Sequence, residues 1–69
     1  MINKQQELKY NERLITVSYN NMSELMNRSN FIRERLLLHM DENQYISSEY
    51  ISQDETKYYL NFILTPKHN

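Results

Sequence analysis

The stretch "MSELMNRSNFIRERLLLHM", residues 22–40, reads as one long helix, and the fold is built around it. At 100° per residue, Met22, Leu25, Met26, Ile32, Leu36, Leu37 and Met40 fall on one wide stripe suited to covering a sheet. Ser29 and Arg33 interrupt that stripe. Phe31 and Leu38 land on the opposite side, seven residues apart. Two conformations follow. A kink at residues 27–30, with Ser29 capping a second segment, would turn Phe31 inward; a continuous helix would leave Phe31 and Leu38 outside, either simply exposed, as scattered single residues often are, or packed against a second copy or another protein. Asn21 is the expected N-cap, with Glu24 at the position of a capping box. Asp41 and Glu42 oppose the negative end of the helix dipole, so the helix should stop near Met40, closed by Asn43.

Before the helix, "RLITVSY" (13–19) alternates Ile15, Val17 and Tyr19 against Leu14, Thr16 and Ser18, the period of a strand. After it, "QYISSEYIS" (44–52) and "TKYYLNFILT" (56–65) read as two strands of a hairpin ended by Pro66. A three-residue loop, Gln53-Asp54-Glu55, would place Ser52 opposite Thr56. Ile46, Tyr50, Tyr58, Leu60, Phe62 and Leu64 would then share one face, and Tyr45, Ile51, Tyr59 and Ile63 the other. The sum is an α+β fold: a small β-α-β-β domain with an antiparallel sheet packed on one long helix. Residues 1–69 form a single domain with an N-terminal arm over residues 1–11. The partner of the first strand, either the third strand or a second chain, stays open at this point.

Composition narrows the class. The chain has 69 residues, a net charge of −1 and no cysteine, so neither a disulfide nor a thiolate metal site is available. Basic residues lead in 1–35 and acidic ones in 36–69, an imbalance too small to name a partner. The opening "MINKQQELKY" has no apolar core of a signal peptide, and no run approaches a membrane span, so a cytoplasmic protein with no membrane partner is expected. Gly and Ala are absent beside nine Asn, six Ile and six Tyr. These are the extremes of GC-poor coding, and they point to an AT-rich bacterial host or one of its phages or mobile elements. Without glycine, turns needing positive φ must use Asn or Asp, which marks Asn20, Asn21, Asn43 and Asp54.

No catalytic constellation is expected. His39 and His68 are far apart and neither has metal-ligand spacing around it; a glycine loop for phosphate does not exist; a fold this small should leave little room for a cavity of about 300 Å³. No cofactor or metal is expected. Lys57 beside Tyr58 and Tyr59 is the composition of a base-stacking platform, but neighbours on a strand point to opposite faces, so packing is the expected role.

"SNFIRERLLL" (29–38), with its Ser cap, Ile-Arg and Leu, resembles the second helix of the ribbon-helix-helix DNA-binding family, and "RLITVSY" is similar to its N-terminal ribbon strand. The resemblance covers about twenty residues. It implies a dimeric DNA-binding regulator whose paired ribbons lie in the major groove, with Arg13, Thr16, Ser18 and Arg28 as nucleic-acid residues. The chain departs from the family between Asn20 and Arg28, about two turns too short for the family's first helix. The residues themselves point first to a non-enzymatic regulatory protein that binds and blocks or modulates another protein. Phe31, Leu38, Arg35, Tyr45, Ile51, Tyr59 and Ile63 are the interface candidates, and a homodimer is a further assembly to consider.

Overall fold

The structure, a computed structural model, describes Leu8 and residues 11–67. The arm expected over 1–11 therefore lies, apart from Leu8 and Asn11, outside the described residues, as does His68. The element order is β1 (Arg13–Tyr19), α1 (Met22–His39), β2 (Gln44–Gln53) and β3 (Tyr58–Pro66). This is the β-α-β-β arrangement, one helix on a three-stranded antiparallel sheet. No helix among the described residues is long and apolar enough to cross a membrane.

The helix is continuous over 18 residues, so the kink does not occur. Asn21 stands outside the helix at φ −148° and ψ 158°, and its side-chain oxygen accepts the Glu24 N–H at 2.7 Å. That satisfies one of the donors a helix start leaves free. The far end departs from expectation. Met40, not Asn43, closes the helix, in an extended conformation, with its N–H donating to Leu36 O at 2.9 Å. Asp41 then holds the exit by accepting the Asn43 N–H on its carboxylate at 2.8 Å.

The absence of glycine shows in these connections. Asn11, at φ 68°, is the only described residue in the left-handed region. The other turns stay at negative φ and use side chains instead. In the hairpin loop the Asp54 carboxylate accepts the backbone N–H groups of Thr56 and Lys57, at 2.9 and 2.8 Å.

The sheet order is β1-β3-β2, so β3 is central and β1 pairs within its own chain. The hairpin loop has four residues, with Gln53 opposite Tyr58 and Ser52 opposite Tyr59. The three-residue loop is thus corrected, and with it the faces. Ile51, opposite Leu60, lies on the helix side; Tyr50, opposite Asn61, lies on the back. Carried unbroken down the strand, this slip would push Ile46 out of the core. A bulge prevents that: Ser47 is an extra residue between the pairs Ile46–Leu64 and Ser48–Ile63, and it restores Ile46 to the helix side.

Leu25, Leu60 and Phe62 form the core, ringed by Tyr19, Met22, Ile32, Leu36, Ile46 and Tyr58. Each such side chain contributes about 1.5–3 kcal/mol when fully buried. The back of β3 is also buried. Ile63 is 2% exposed and Asn61 4%. Asn61 is satisfied across all three strands: Thr16 Oγ1 donates to its Oδ1 at 2.8 Å, and its Nδ2 donates to Ser52 Oγ at 2.9 Å and to Tyr50 O at 3.2 Å. A buried amide with its bonds made is tolerable in a core; one left unpaired is not.

Candidate interaction surface

α1 lies over β1 and β3 and its backbone does not approach β2. This placement divides the helix into a buried stripe, two flanks and an outer crest. Leu25, Ile32 and Leu36 point into the sheet. One flank, with Met26 and Arg33, leans toward β2. The opposite flank, about 180° around at 100° per residue, carries Glu24, Arg28, Phe31 and Arg35 on the β1 side. Leu38 stands on the crest, turned away from the sheet.

The β2 flank is closed by one ion pair. Arg33 donates from both arms to Glu49, Nε to Oε1 at 2.7 Å and Nη2 to Oε2 at 2.6 Å, and its Nη1 donates to Asn30 Oδ1 at 2.7 Å. The hydrogen bond from Arg33 holds the Glu49 carboxyl below its usual range, and the Glu49 partner raises Arg33 in turn. Beside this clasp runs an open groove of about 340 Å³ between Met26, Ser29, Ile51 and Leu60. Its size exceeds the expectation of a fold without room for about 300 Å³. The groove's two charged groups, Arg33 and Glu49, are already bonded to each other. Among the described residues no group of three His, Cys, Asp or Glu could hold a metal ion.

The β1 flank and crest are open. Phe31 is 51% exposed and Leu38 77%, the highest exposure of any large apolar residue described. Arg28 and Arg35 each lie over the Phe31 ring, 5.4 and 5.8 Å from its centroid. The only ion pair among the described residues is Arg33–Glu49, so neither of these guanidiniums has a carboxylate partner there.

The remaining candidates divide among other surfaces. Tyr45 is exposed on the back of the sheet, opposite Thr65. Tyr59, also on the back, is half-buried and donates its hydroxyl to Asp54 Oδ2 at 2.6 Å. That bond, with the two backbone N–H groups, lowers Asp54 to about 2, and the bond to the carboxylate raises Tyr59 above its usual value. Ile51 is exposed, but in the helix-side groove and not with Tyr45 and Tyr59, because of the register change. Ile63 is a correction: as part of the central strand it is buried and offers no surface. Phe31, Leu38 and Arg35 are the three interface candidates that the fold brings together. Residue patterns had not revealed the groove, although Arg33 interrupting the apolar stripe was its signal.

The nucleic-acid candidates do not share a surface. Thr16 and Ser18 are exposed on the back with Leu14, Thr16 being bonded to Asn61. Arg13, opposite Leu64, projects to the helix side, and Arg28 stands on α1. A single helix follows β1, and β1 is already paired to β3 on one edge. Compared with known proteins, the chain matches no family model, no curated protein and no solved structure.

Proposed function

We propose that this chain is a small, non-enzymatic regulatory protein that acts by binding another protein and blocking or modulating it. The observation that carries this reading is Leu38, 77% exposed on the crest of α1, with Phe31 half-exposed two turns before it. A chain of 69 residues has little apolar surface to spare, and the core here is only a handful of side chains. Leaving a leucine and a phenylalanine on one side of a helix fits a surface meant to be covered. The near-neutral charge fits a protein partner better than a phosphate backbone. The AT-rich residue choice fits a phage or mobile-element product acting on the machinery of a bacterial host.

Affinity capture from lysate of an AT-rich bacterium, with and without nuclease, tests it. The expected result is a protein retained in both samples and lost with Leu38→Lys, whose far-ultraviolet circular dichroism matches the parent. Retention that vanishes with nuclease, or that is indifferent to Leu38→Lys, would overturn the reading.

A further inference from the structure

We infer that the β1 edge and the β1 flank of α1 together form a two-fold interface with a second copy of this chain. Two independent observations meet there. The first is the sheet edge. β2's outer edge is broken by the Ser47 bulge and carries Glu49 tied to Arg33, features that discourage strand addition. β1 has neither. It is seven residues in unbroken register with β3, and Arg13 is its only charged residue. Its outer edge faces no strand among the described residues.

The second observation is the spacing of Glu24, Arg28, Phe31 and Arg35. The intervals are four, three and four, and this sequence of intervals is the same read in either direction. A two-fold axis normal to the sheet sets the two α1 helices antiparallel, and on such a pair the flank matches itself. Glu24 of one copy meets Arg35 of the other, and Arg28 meets Phe31. Glu24 finds an opposite charge in Arg35, and Arg28 finds a second aromatic ring, the group it already covers within its own chain. Glu24, Arg28 and Arg35 have no ion-pair partner among the described residues.

The distances agree. Strands in a sheet lie about 4.8 Å apart, so a helix centred between β1 and β3 sits about 5 Å from an axis midway between two β1 strands. Its mate is then about 10 Å away, within the roughly 8–10 Å of packed helices. One arrangement satisfies strand and helix at once. It covers Phe31 and leaves Leu38 outside, so it goes beyond the partner reading, which then rests on Leu38.

Sedimentation of the purified chain, with light scattering behind a sizing column, tests the inference. The parent should give about 17 kDa, twice the 8.5 kDa chain. Arg35→Glu and Glu24→Arg each place like charges across the axis and should weaken self-association by about 10-fold or more. An equimolar mixture of the two variants should recover it, because in the mixed pair both contacts are again between opposite charges. Loss of folding cannot produce that recovery. A parent that stays at 8.5 kDa at high concentration, or a mixture no tighter than either variant alone while both keep their helical signal, would overturn the interface. A monomeric parent that still captures a protein through Leu38 would overturn the dimer alone.

Discussion

The two flanks of α1 both set arginine beside a large apolar side chain and end differently. Toward β2, Arg33 reaches Glu49 with both arms, and the bonded pair forms part of the wall of an open groove. Toward β1, Arg28 and Arg35 are equally cationic, but they lie over the ring of Phe31 and reach no carboxylate among the described residues. The difference comes from where the helix sits. Because α1 covers β1 and β3, the uncovered strand on one side supplies a carboxylate to hold, while on the other side the sheet simply stops. A charged side chain on a helix is therefore a clasp or a free hand according to the strand order, which the helix's own sequence does not contain.

The sharpest way to break this comparison is to alter the stripe between the flanks. Leu25 is fully buried, and Leu25→Ala should cost about 2–5 kcal/mol, enough to unfold much of a domain this small. Urea unfolding followed by circular dichroism reads it. A loss no larger than that of a surface substitution would mean the helix is not seated as described. Asn61→Ala is next, at about 1–3 kcal/mol, since it removes a buried amide and its hydrogen bonds to Thr16, Ser52 and the Tyr50 carbonyl. Asn61→Asp should be worse than the alanine if the site is as enclosed as its exposure indicates.

The β2 flank responds to pH. Glu49 is lowered in the folded chain, so the clasp contributes fully above the ordinary carboxyl range and is lost as pH falls through the lowered value. Glu49→Gln should flatten that acid limb while changing neutral stability far less than Leu25→Ala, because the pair is a surface one. The hairpin loop gives a second window. Asp54, lowered to about 2, keeps its bonds from Tyr59, Thr56 and Lys57 until pH falls below its usual value near 3.8 and toward 2. Tyr59, raised, keeps its side of the bond until pH climbs past 10. Carboxyl and ring signals followed by NMR should show the contact intact between those limits; an Asp54 titrating at 3.8 would remove it.

Much of this was legible in the residues, and the misses have physical causes. The β-α-β-β order and the Asn21 cap follow from period and capping chemistry alone; Phe31 and Leu38 point outward because the helix runs on without the kink that the residues left open. The faces of β2 were not legible. Period two is unforgiving: one residue more in the hairpin loop exchanged Tyr50 with Ile51, and the bulge at Ser47 then restored Ile46, an event that no local pattern announces. Ile63 was misplaced for a related reason. A residue on the back of a three-stranded sheet looks exposed until the strand is known to be central, flanked by Leu14 and Ser48. The groove was missed because it exists only where α1 fails to reach β2.

The smallest expected effect is the one that separates flank and crest from stripe. Leu38 is the same residue type as Leu25, on the same helix, thirteen positions later. Replacing it removes little buried area, so Leu38→Lys should change unfolding free energy by no more than about 0.5 kcal/mol. Lysine is a better probe than aspartate here, because Leu38 lies in the last turn, where a negative charge would oppose the helix dipole and a positive one suits it. Leu25 and Leu38 then differ by about fourfold or more in what they contribute to the isolated chain, a ratio set by direction from the helix axis and not by chemistry. If Leu38→Lys destabilises the purified protein as Leu25→Ala does, the crest is buried against something within the chain, and the surface proposed for a partner does not exist.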